Sequence, residues 1–179
     1  MFRYPRRYIA IQAMIEFISN AILNAGIGWY WTQGLERIPL WGWSSVAIDL
    51  VPTGFGIAIC LSLIFTLRLH RRLRVGTTAP ATLYPGRVPG MVHRLPLNPW
   101  IRSALIGSTG ALAALATILL MYANGIETLA RDDFIVLKTV FAAFVASGAM
   151  LLAGYRALGD GITPQTPNGH WPRRGTKRR

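Results

Sequence analysis

Four long apolar stretches, each about as long as the hydrocarbon core of a bilayer is thick, constrain this chain more than any other feature. They run from about Tyr8 to Trp31, Ser45 to Leu67, Ile101 to Ala123 and Phe134 to Ala157. A helix rises about 1.5 Å per residue, so roughly 20 residues cover the roughly 30 Å of hydrocarbon, and every stretch reaches that length. A water-soluble core does not require apolar residues gathered into such blocks. The 179 residues are 52% hydrophobic and only 15% charged, with a mean hydropathy of +0.36, which agrees. The expected fold class is therefore all-α: a polytopic bundle of four transmembrane helices over residues 1–160, with a basic tail over 161–179.

The first stretch ends in Trp29, Tyr30 and Trp31 rather than in a small-residue cleavage site, so it reads as a retained helix and not as a cleaved leader. Pro52, Gly54 and Gly56 interrupt the second stretch. Neighbouring helices re-satisfy backbone around such residues in membranes, so the helix assignment stands.

A formal net charge of +12 would ordinarily raise nucleic acid as a partner, yet the positive charges border the apolar spans. No nucleic acid is expected. Lys and Arg are preferentially kept on the cytoplasmic side, and the count is lopsided. Arg3, Arg6 and Arg7 precede the first span; Arg68, Arg71, Arg72, Arg74, Arg87, Arg94 and Arg102 lie between or just inside the second and third; Arg156 and the tail follow the fourth. The other two loops hold Arg37 and Arg131 beside Glu36, Glu127, Asp132 and Asp133. The three basic clusters share one side only if the number of crossings is even, which places both termini in the cytoplasm. Trp29, Tyr30, Trp31, Trp41, Trp43 and Tyr122 then form an aromatic belt on the far side, and Tyr4, Tyr8, Trp100 and Tyr155 one on the near side.

The loop from Val75 to Pro99 carries five prolines and glycines at 76, 86 and 90, and reads as an extended linker. The segment from Gly161 onward is too polar and too rich in Pro and Gly to fold alone. Its Arg173, Arg174, Lys177, Arg178 and Arg179 are expected to contact anionic lipid at the inner surface, each contributing about 1 kcal/mol; a plain topology signal is the alternative.

An ionisable group within a bilayer costs about 2.5 to 3.5 kcal/mol on insertion scales, so each one invites a functional reading. Glu16, Asn20 and Asn24 follow at i, i+4 and i+8, a polar face along the first helix. It serves either as interhelical hydrogen bonding or as a protonatable carboxylate at a substrate site. Asp49 and Lys138 each lie about a turn inside the far ends of their helices, at comparable depth, which predicts an ion pair linking the second and fourth. Ser103, Gly107 and Ala111 on the third helix, and Thr139, Ala143 and Ser147 on the fourth, repeat small residues at four-residue spacing and predict close helix packing.

No cofactor or metal is expected. The lone Cys60 builds no thiolate cage or intrachain disulfide, and His70, His93 and His170 lie at a helix end and in loop segments, where they form no facing pair for a membrane haem. No motif for hydrolytic or phosphate chemistry stands in the chain.

At Glu16, a short four-helix chain with one carboxylate in its first helix resembles the small multidrug resistance transporters; this chain is longer and lacks the glycine and aromatic pattern of that family's second and third helices. More broadly, NAILNAGIGW at 20–29, Asp49 and the HRRLR ending at Arg74 resemble uncharacterised small bacterial inner-membrane proteins sometimes labelled permeases. That resemblance covers about the first 75 residues and implies a bacterial cytoplasmic membrane. The expected role is a non-catalytic membrane subunit or accessory protein that packs against other membrane subunits or further copies of itself. The alternative is a small oligomeric transporter using Glu16.

Overall fold

The structure, a computed structural model, describes residues 5–74 and 95–160. Most of the expected linker, residues 75–94, and the whole basic tail lie outside the described residues. The elements are α1 (Pro5–Trp31), β1 (Arg37–Pro39), α2 (Val46–Arg74), α3 (Pro99–Ala123), β2 (Thr128–Ala130) and α4 (Arg131–Asp160). All four helices are long and apolar enough to cross a membrane.

Each helix begins and ends where local chemistry directs. Ser45 caps α2: its Oγ accepts from the backbone N–H of Ile48 at 3.3 Å. Asn98 caps α3, accepting from the Trp100 N–H at 2.9 Å, and Pro99 fills the first helical position, where a missing N–H costs nothing. At its far end α3 stops in a Schellman turn: Gly125, at φ +77°, donates to Tyr122, and Ile126 donates to Met121. The helices run past the apolar blocks. α2 continues to Arg74 rather than ending near Leu67, because Leu and Arg favour helix and no breaker intervenes before Gly76.

The two short loops pair with each other. β1 and β2 form an antiparallel ribbon with Arg37 opposite Ala130, Ile38 opposite Leu129 and Pro39 opposite Thr128. Leu40 extends the pairing by donating to the Glu127 carbonyl at 2.9 Å. This ribbon lies outside the all-helical expectation, since three-residue strands carry too little alternation to be read from sequence. It gathers the C-terminal ends of α1 and α3 and the N-terminal ends of α2 and α4, here called the ribbon end; the opposite one is the terminal end.

The helices pack as an open row, α1 on α4, α4 on α2 and α2 on α3, while α3 and α4 meet only sparsely. α1 lays Ile9, Ala13, Asn20, Asn24 and Gly28 along its buried stripe. One apolar cluster, with Ile38, Leu40, Val46, Leu50, Ile118 and Phe134, sits beneath the ribbon. A second, with Ile9, Ala58, Phe65, Ile106, Met150 and Ala153, fills the terminal end. Between 22% and 33% of the most apolar window of each helix is buried, so most of its apolar surface points outward. Apolar outer faces of this extent on four helices are compatible with a lipid surrounding.

Candidate functional site

The expected residues fall at separate places. Asp49 of α2 and Lys138 of α4 are brought together near the ribbon end, with Lys138 Nζ donating to Asp49 Oδ1. The ammonium is 2% exposed and also lies 5.9 Å from the centre of the Phe134 ring. Gly28 of α1 lies against the same side chain, where a Cβ would be in ordinary van der Waals contact, 3.5 Å from Lys138 Cδ. Three helices therefore meet at one charge. The other carboxylate oxygen of Asp49 is buried, with no hydrogen-bond partner among the described residues.

Glu16, Asn20 and Asn24 share one face of α1, directed at α4. Asn20 Nδ2 donates to the Glu16 carbonyl at 3.0 Å and to its Oε2 at 3.3 Å, and Asn24 Nδ2 donates to the Asn20 carbonyl at 3.0 Å. These bonds run within α1. A T-shaped contact of Phe17 with Phe144, ring centres 5.3 Å apart, lies along the same helix pair.

The small residues divide. Gly107 packs against Ile59 and the Phe55 backbone of α2, and Ser103, a turn earlier, is buried. Ala111 is half-buried; the nearest approach of α3 to α2 is instead at Gly110, against Gly54. On α4, Ala143 is buried, Thr139 is half-buried with its hydroxyl oxygen inaccessible, and Ser147 donates to the Phe144 carbonyl of its own helix at 3.1 Å. Arg173, Arg174, Lys177, Arg178 and Arg179 lie outside the described residues.

Two further features stand out. A half-open groove of about 320 Å³ runs between α3 and α4, floored by Ala58 of α2 and walled by Thr109, Ala113 and Thr117 on one side and Gly148, Ala149 and Leu152 on the other. The Thr109 and Thr117 hydroxyls donate to the Ile106 and Ala113 carbonyls of their own helix. Neither Glu16, Asp49 nor Lys138 lines it.

Two arginines lie one turn beyond this groove toward the terminal end. Arg102, fully buried, donates to Thr66 Oγ1 of α2 at 3.3 Å; Arg156, 7% exposed, donates to the Leu95 carbonyl at 3.0 Å. Sequence reasoning counted both only as markers of orientation. The signal for Arg102 was its phase: it repeats at four residues with Ile106, Gly110, Ala114 and Ile118, the buried stripe of α3.

These features define a class, a bundle of four membrane-length helices with an internal ion pair and a lateral apolar groove. No family model matches the chain, and neither a curated protein nor a solved structure matches it significantly.

Proposed function

We propose that the chain is an integral membrane protein, spanning the bacterial cytoplasmic membrane four times with both termini inside, that acts as a non-catalytic subunit or accessory protein of a larger membrane assembly. The groove carries this reading: it is lined by apolar and small side chains and opens sideways, toward where a neighbour or lipid lies, while the intramembrane charges sit apart from it in bonds of their own. A transport path needs polar groups converging on the route of the substrate. The orientation rests on the charges: at the ribbon end Arg131 and Arg37 are held by Thr32 and Thr128, and acids accompany them, whereas the terminal end bears Arg68, Arg71, Arg102 and Arg156.

Purification of the full chain from its native membrane in mild detergent tests the role. The expected result is a stoichiometric protein partner or a defined oligomer; a stable lone monomer overturns it. The transporter reading, favoured by the Glu16 face alone, is separated by Glu16→Gln. Transport or ligand binding abolished at unchanged expression supports the transporter, and assembly lost with no transport phenotype supports the subunit.

A further inference from the structure

We propose that a partner protein docks a transmembrane helix on the flank of α1 that carries Gln12, Glu16 and Ser19, and that this helix presents a Lys or Arg to Glu16. The inference rests on the subunit reading above and names the chemistry of the partner. Gln12, Glu16 and Ser19 recur at i, i+4 and i+7, so they share one side of α1. Glu16 lies nine residues past Arg7, where the membrane-length segment begins. At about 1.5 Å per residue that is roughly 13 Å, close to the middle of a roughly 30 Å hydrocarbon core and beyond the reach of lipid head groups.

The fold leaves this flank short of partners. The Glu16 carboxylate accepts from Asn20 Nδ2 at 3.3 Å, the longer arm of a donor shared with the Glu16 carbonyl at 3.0 Å, and it meets no cation among the described residues. Gln12, half-buried, and Ser19, exposed, make no side-chain hydrogen bond among the described residues. Neighbouring helices do not make up the deficit. The approaches of Gly154 to Ile9 and of Gly28 to Lys138 set α1 antiparallel to α4 and bring Glu16 to about the level of Ser147, whose hydroxyl donates to the Phe144 carbonyl. From Leu50 to Leu67 α2 carries no charged residue, and α1 and α2 touch only sparsely. Hydrocarbon offers no hydrogen bonds, so polar groups at this depth are satisfied by protein.

Charge and depth choose that protein. An acid on an outer flank calls for a cation, and the cations inside the described helices have none to lend a second copy: Lys138 is 2% exposed and bonded to Asp49, and Arg102 and Arg156 are buried. Two copies related by an axis along the bilayer normal would set Glu16 against Glu16 at one depth. A basic side chain on another protein's helix neutralises the carboxylate and donates to it in the same contact.

Crosslinking in the native membrane is the test. The full chain carries a photoreactive benzoylphenylalanine at position 19 or, as the control, at position 14, since Met14 is 65% exposed and lies one turn from Phe17 on the other flank of α1. The expected product, formed from position 19 and not from position 14, joins the chain to a transmembrane segment of another protein that contains Lys or Arg. Glu16→Gln, which keeps the shape of the side chain, lowers the yield by on the order of tenfold at unchanged expression. Glu16→Lys abolishes it, and Glu in place of the partner's basic residue restores it. A crosslinked segment without Lys or Arg, a crosslink to a second copy, or full yield in Glu16→Gln overturns the proposal. Crosslinks from position 14 with none from position 19 overturn the docking flank and leave the subunit reading standing. A lone monomer that crosslinks to protein from neither position overturns both.

Discussion

Removing the ammonium of Lys138 leaves the Asp49 carboxylate buried without its counter-charge, a loss that typically costs about 3 to 5 kcal/mol. Lys138→Met is therefore expected to destabilise the protein strongly, and Asp49→Asn combined with it to restore part of the loss. Denaturation in micelles measures the coupling; strictly additive effects would mean that the two groups do not interact. Gly54 makes a second demand at this scale. A Cβ there would lie 2.7 Å from the Gly110 carbonyl oxygen, which is backbone and cannot rotate aside. Gly54→Ala should cost about 1 to 3 kcal/mol, whereas Gly56→Ala, facing open space, should be neutral or gain up to about 1 kcal/mol from helix propensity. The pairing of Asp49 with Lys138 could be anticipated from matching depths along two helices. The choice of Gly110 over Ala111 could not, because it depends on the rotation of α3 about its axis.

Among the elements, the ribbon-end junction of α1 with α4 is tied by Arg131. Arg131 Nε donates to Thr32 Oγ1 at 3.2 Å and its Nη2 to the Trp29 carbonyl at 3.3 Å, closing the last turn of α1 with a positive charge where the helix dipole is negative. Arg131→Ala should cost about 1 kcal/mol and speed amide exchange in the last turn of α1; Arg131→Lys, keeping charge without the fork, should recover only part. Exchange limited to loops elsewhere would remove this role. The four helix-forming blocks were legible in the sequence. The ribbon was not, because its two strands are separated by nearly ninety residues and each becomes a strand only by meeting the other.

For the whole molecule, the proposed topology predicts labelling. In a Cys60→Ser background, Trp43→Cys, at a residue 92% exposed near the ribbon, should react with a membrane-impermeant maleimide in intact cells, while a cysteine appended after Arg179 should react only after lysis. The reverse pattern would invert the proposed topology.

The number, length and approximate limits of the four helices followed from the sequence alone, since the free energy of placing an apolar segment out of water is a sum over its own residues and needs no knowledge of its neighbours. Only the tertiary structure decided that α4 and α2 lie inside the row and α1 and α3 outside it, that the two ribbon-end loops pair, and that a groove remains between α3 and α4. Those outcomes turn on contacts such as Gly54 with Gly110 and Phe65 with Gly154, in which shape complementarity between distant segments, rather than hydropathy, selects the partner.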